Sequence, residues 1–177
     1  MVLYLRTVFI FFRAFLIQKK AKLLDEFSST FRVQINDTDI PTFDGMSNGR
    51  YFNLMDLARI EHVIRIGLLK KMRQNHWFIL VGWQSIRYAK TLRTFQKFTI
   101  RSRILCWDEK WFYVQQEFES GGEVYAIGMV RALFRRESGN IPPSEVVAAI
   151  GYSSPSPAMP ASICNWMRME EQLLSPK

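Results

Sequence analysis

The chain offers few side chains for covalent or metal chemistry. Its two cysteines, Cys106 and Cys164, lack CxxC spacing, and its two histidines, His62 and His76, complete no familiar zinc pattern with them. The thiols are expected to be reduced and structural, and no metal or cofactor is implied. Carboxylates are the better candidates. Asp39 and Asp44 stand in the run 37–51, Asp-Thr-Asp-Ile-Pro-Thr-Phe-Asp-Gly-Met-Ser-Asn-Gly-Arg-Tyr, whose Asp, Pro, Gly, Ser and Asn residues predict a long loop. Asp56 follows, inside a predicted helix. A carboxylate can activate water or attack an electrophile itself. Each also has a structural reading: Asp39 as a local cap of loop backbone, Asp56 as a solvated residue or the ion-pair partner of Arg59 or Arg50.

These groups need elements to hold them. Ahead of the loop, Phe31, Val33 and Ile35 alternate with Arg32, Gln34 and Asn36, which predicts a half-buried strand over 28–37. After it, Tyr51, Leu54, Met55, Ala58, His62, Ile66 and Leu69 recur at three- and four-residue steps, and Phe52, Leu57, Ile60, Val63, Ile64 and Leu68 add apolar surface off that stripe. A helix so apolar around its circumference must be enclosed by other elements. Ser47 or Asn48 suits its N-cap, and Lys70, Lys71 and Arg73 suit the negative end of its dipole. Four strand-like runs follow, at 78–90, 95–107, 110–120 and 123–136. Asp108-Glu109 marks a turn between the second and third, and Ser120-Gly121-Gly122 a hairpin between the last two. Their Trp and Phe residues are read as core.

One strand, one enclosed helix and four antiparallel strands make an α+β layout with the helix against a curved sheet, the order of the hot-dog topology. A chain of 177 residues, 48% hydrophobic, suits one core. The expected organisation is an apolar and basic N-terminal helix over 1–27, a hot-dog domain over 28–137 and a helical tail over 138–177. In the tail, helices are predicted at 144–150 and 161–174 around a Ser/Pro-rich stretch.

The formal charge of +8 and pI of about 9.7 favour a polyanionic partner, whether nucleic acid, an anionic membrane surface or a phosphorylated cofactor. The basic residues fall in small scattered groups, whereas a nucleic-acid module concentrates them, so no nucleic acid is expected. Residues 2–17 are mostly apolar, but Arg6 and Arg13 interrupt them and no small-residue cleavage site follows, against a removed signal peptide. The six uncharged residues between the arginines are too few to cross a bilayer. With Lys20, at the same spacing, they form one basic stripe on a helix. That helix either lies in a membrane interface with its arginines at the headgroups, or docks on its own domain or a partner subunit.

Two stretches carry a family resemblance. Asp39, Met46, Asn48-Gly49-Arg50-Tyr51 and Leu54-Met55-Asp56-Leu57-Ala58-Arg59 resemble the loop-to-helix signature of the 4-hydroxybenzoyl-CoA thioesterase-like hot-dog proteins. They are most similar to a membrane-associated branch whose loop runs Asp-x-Asp, then His-Met-Asn-Asn-Gly-Arg-Tyr. Leu105-Cys106-Trp107-Asp108-Glu109-Lys110-Trp111-Phe112-Tyr113 resembles that branch's Gly-Trp-Asp-x-x-x-Phe-Tyr strand turn. The resemblance covers roughly residues 31–136.

It implies an acyl-CoA thioesterase: a homodimer or homotetramer with active sites between subunits, acting on an acyl-CoA or acyl-carrier substrate without metal or prosthetic group. It also implies a cytoplasmic protein, peripheral on the inner membrane face through its N-terminal helix. The thioester would lie at the start of the central helix, where unpaired N–H groups and partial positive charge stabilise an oxyanion. Gly49 would admit the close approach, Asn48 would donate a hydrogen bond, and Asp39, Asp44 or Asp56 would supply the carboxylate. Tyr51 joins Gly49 in the substrate-binding set. Lys90, Arg93, Arg101 and Arg103 are placed at the pocket mouth, for the CoA phosphates, by strand position alone; a solvated strand face accounts for them equally. The chain departs from the branch at Pro41, Gly45 and Ser47, which stand where it has the second Asp, the His and the first Asn. Those departures motivate the alternative of a non-catalytic hot-dog protein that binds acyl-CoA or lipid at a membrane surface.

Overall fold

The computed structural model describes residues 22–33 and 45–174. Its elements are β1 (Phe27–Arg32), α1 (Asn48–Arg65), α2 (Leu68–Asn75), β2 (Phe78–Tyr88), β3 (Lys97–Trp107), β4 (Phe112–Ser120), β5 (Glu123–Arg136), β6 (Gly139–Ile141), α3 (Pro143–Ala149) and α4 (Ala161–Leu174). The strands form one antiparallel sheet in the order β1-β3-β4-β5-β2, with β6 paired to the end of β5.

Alternation along the strands decides which face meets α1. Phe98, Ile100, Val114, Phe118, Ala126 and Val130 point inward and join Tyr51, Leu54, Met55 and Ala58 of α1 in the main core. Register shifts at Val81/Trp83, Ile104/Cys106 and Phe118/Glu119 bend the sheet around the helix. Contact is closest at Gly128, where an added Cβ would stand 2.4 Å from Met55 Cε. This is the enclosed helix and wrapped sheet of the hot-dog arrangement.

The other face is covered by α4. Ile163 packs on Cys106 and Tyr113, and Trp166 lies edge-on to Trp83 and Tyr113. Glu170 takes a bidentate ion pair from Arg131, whose guanidinium also lies 4.5 Å from the Trp111 ring centroid. Burial and the charge of Asp108 push the Cys106 thiol up to about 11, consistent with an inert structural cysteine. Among the described residues, no helix is long and apolar enough to cross a membrane.

Three elements differ from expectation. The predicted single long helix is broken at Gly67, whose φ of 79° ends α1 in the left-handed region, so Lys70, Lys71 and Arg73 belong to α2. β1 begins at Phe27, one residue early, with Phe27, Ser29 and Val33 buried; its predicted continuation beyond Val33 lies outside the described residues. The three-residue β6 has no sequence pattern of its own. The predicted N-terminal helix also lies outside the described residues.

α1 carries one buried titratable group without a partner. His62 is 5% exposed, stacks on Phe27 at 5.4 Å, and has an unbonded Nε2 among the described residues. Burial lowers its pKa from 6.5 to about 4, against the pull of Asp25. The unfolded chain therefore binds this proton first, so stability is full above pH 6.5 and falls toward pH 4, by ~3 kcal/mol in all. Thermal melts between about pH 7.5 and 4.5 should show a steeper acid loss in the native chain than in His62→Phe. Parallel curves would mean His62 is not the titrating group.

Candidate active site

α1 starts abruptly. Ser47, extended at φ −69° and ψ 150°, occupies the N-cap but makes no side-chain capping bond, and no acidic residue stands in the first turn. A hypothetical Cβ on Gly49 would meet nothing within 4 Å. Asn48 and Gly49 are exposed. Among the described residues, the first turn therefore presents backbone donors and a positive dipole end that no side chain caps or compensates.

The start of α1 is tied to the connection between β2 and β3. Met46 N donates to Leu92 O at 2.8 Å, and Leu92 N donates to the Tyr51 hydroxyl at 3.3 Å. Tyr51 is 1% exposed, edge-on to Tyr88 and tilted against Phe118; burial raises its pKa. Tyr51 thus fixes the helix start from within the core. Lys90 and Arg93 flank Leu92 and so stand near α1's first turn; Lys90 pairs with Glu123 at 2.7 Å.

Arg101 and Arg103 are placed elsewhere. Ile100 and Ser102 of β3 are buried toward α1, so Arg101 and Arg103 project from the opposite face. Arg101 is engaged there by Glu119, Glu117 and Glu26. Alternation separates the two faces of β3 but does not say which one holds the helix, and the structure places these two arginines on the face away from α1. Asp39 and Asp44 lie outside the described residues. Val33 and Met46, on either side of that segment, both bond the β2–β3 connection, Val33 N donating to Gln96 O at 3.0 Å.

Asp56 lies on the third turn of α1, 53% exposed and ion-paired with Arg59. That pair leads into a buried polar chain that sequence inspection missed. Arg59 Nη1 donates to Gln116 Oε1 at 2.6 Å, and Gln116 Nε2 donates to Met55 O at 3.1 Å and Ser102 Oγ at 2.9 Å. Desolvation lowers the Arg59 pKa while Asp56 opposes it. The available signal was Gln116 itself, a polar residue at an inward position between Val114 and Phe118. The second family-like stretch is structural. Asp108 accepts from Lys110 N and Trp111 N with one oxygen and from the Tyr113 hydroxyl with the other, all at 2.7 Å, closing the β3–β4 turn. Among the described residues no His, Cys, Asp or Glu cluster could hold a metal.

The description "thioesterase-like superfamily" belongs to the family model that matches residues 33–167. Protein THEM6 of Xenopus laevis is 30% identical over 171 residues, covering 93% of this chain and 81% of its own. A protein named probable thioesterase from Saccharomyces cerevisiae is 28% identical over 108 residues, 59% of this chain and 47% of its own. Among solved structures, a probable thioesterase from Bartonella henselae superposes with a TM-score of 0.60 at 19% identity, covering 67% of this chain and 98% of that one.

Gln116→Met keeps length and shape but takes the Gln116 partner from Arg59 Nη1, the Met55 carbonyl and the Ser102 hydroxyl. Urea unfolding should show a loss of ~3 kcal/mol. A loss below ~1 kcal/mol would mean water or a neighbour replaces the amide.

Proposed function

We infer that this chain, which belongs to the thioesterase-like superfamily and acts on acyl thioesters, hydrolyses acyl-CoA at the N-terminus of α1, in a site completed by a second copy of itself. The observation that carries the reading is the open, uncapped start of α1 at Asn48 and Gly49. The thioester carbonyl oxygen accepts from the first-turn N–H groups, assisted by the Asn48 amide, and these donors strengthen as negative charge develops on it. Asp39 or Asp44 takes a proton from water as its oxygen bonds to the acyl carbon. The C–S bond then breaks, and the departing thiolate recovers that proton. Asp56, committed to Arg59, has the weaker claim to the base.

The partner reading rests on β2. It is 11 residues long and bonded on one side, to β5, among the described residues. Phe78, Leu80, Val81 and Tyr88 along it are 40–44% exposed. A long apolar edge invites strand pairing, and a second copy offers the same edge. Tyr88 packs on Tyr51, so this edge ends beside the start of α1. The charge of +8 and the seven-residue spacing of Arg6, Arg13 and Lys20 support docking on an anionic membrane surface.

With a panel of short, long and aromatic acyl-CoAs, native protein should turn over at least one. Either Asp39→Asn or Asp44→Asn should lower kcat more than 100-fold without moving the melting temperature. Tight acyl-CoA binding with no turnover would instead make this a binding protein on a hydrolase fold.

Leu80→Lys combined with Val81→Lys should convert a dimer to monomer in light scattering and lower activity at least tenfold. A dimer that persists would place the interface elsewhere.

A further inference from the structure

Phe95 occupies a position that its side chain does not favour. Arg93, Thr94, Phe95 and Gln96 form a turn closed by Gln96 N donating to Arg93 O at 3.0 Å. Phe95, third in that turn, has φ 62°, a conformation that favours glycine or asparagine. Core packing does not compensate, because the side chain is 62% exposed. The backbone is nevertheless held firmly. Phe95 N donates to Val33 O at 3.0 Å, its carbonyl accepts from Arg32 Nη1 at 3.1 Å, and Gln96 accepts from Arg93 N and donates to Ser120 Oγ. A bulky ring fixed in solvent at a strained backbone position is a pattern found at functional sites.

Its surroundings indicate the ligand chemistry. Arg93 lies in the same turn, Lys97 follows two residues on, and Arg32 pairs in register with Lys97 and bonds the Phe95 carbonyl. The turn continues from Leu92, which bonds both Met46 and Tyr51 at the start of α1. One exposed aromatic face among cations, joined by a short rigid connection to the proposed thioester site, fits a single planar base carrying phosphates. A membrane contact would draw on several adjoining apolar side chains, whereas the neighbours of Phe95 along the chain are Arg93, Thr94, Gln96 and Lys97.

We propose that Phe95 is the stacking platform for the purine base of coenzyme A, with Arg32, Arg93 and Lys97 facing its phosphates. The proposal rests on the acyl-CoA reading above and deepens it: a nucleotide-bearing thioester is selected over the same acyl group on a bare pantetheine arm.

Phe95→Gly relieves the backbone while removing the ring, so loss of folding does not confuse the test. The variant should melt at or above the native temperature. It should bind CoA and adenosine 3′,5′-bisphosphate about tenfold more weakly by calorimetry. Its KM for acyl-CoA should rise by a similar factor at unchanged kcat, with acyl-pantetheine hydrolysis unaffected, and Phe95→Trp should behave as native. Unchanged CoA binding in Phe95→Gly would overturn the platform, as would a loss confined to binding of anionic phosphatidylserine vesicles. Native protein that hydrolyses acyl-CoA and acyl-pantetheine with equal KM would keep the hydrolase reading and sink this one. Phe95-dependent CoA binding without any turnover would do the reverse.

Discussion

The close seating of α1 on the sheet is the constraint from which the remaining architecture follows. Met55 meets β5 at Gly128, where a side chain would collide with its methyl group. Gln116 reaches from β4 to the Met55 carbonyl and Arg59, fixing the helix in rotation and along its axis. An apolar helix held this closely buries its circumference only if the sheet curves, and the three register shifts supply that curvature. Buried polar bonds cost stability when half satisfied, but here they specify which helix face meets which strand.

That seating also determines the electrostatics at the helix start. Tyr51 ties the first turn to Leu92 from inside the core, leaving Asn48 and Gly49 facing outward with no capping side chain. An uncapped N-terminus forgoes about 1 kcal/mol of stability. The same donors, held by a rigid core, require little reorganisation when charge develops on a bound carbonyl oxygen. The chemistry proposed above thus uses the part of the helix that packing of the described residues leaves open.

How much of this the sequence discloses depends on the range of the interaction. Alternation and turn residues located β2 to β5 closely, because those signals are local. The break at Gly67 was hidden by Ile66 and Leu68, which continue the apolar pattern across it. That Arg101 and Arg103 lie on the face away from α1 could not be read from alternation, because the choice of face is a tertiary fact. Phe95 escaped notice because nothing local marks a phenylalanine as left-handed; its φ follows from bonds to Val33 and Arg32, distant in sequence. The loop-to-helix context placed Asn48 at the start of α1, but the Gln116 chain appears only once β3, β4 and α1 are brought together.

Face coverage has a consequence for association. α1 occupies one face of the sheet and α4 the other, the latter anchored by the Arg131–Glu170 pair and by Trp166 against Trp83. Among the described residues, the edges are left for joining copies by strand pairing. β1 is short and turns Ser28, Thr30 and Arg32 outward, a polar edge that resists pairing, whereas β2 is long and apolar. Because Tyr88 at the end of β2 packs on Tyr51 at the start of α1, a copy paired along β2 in the proposed dimer would lie beside the helix N-terminus. Assembly and chemistry would then share one seam, and a change that frees the edge would also open the site to water.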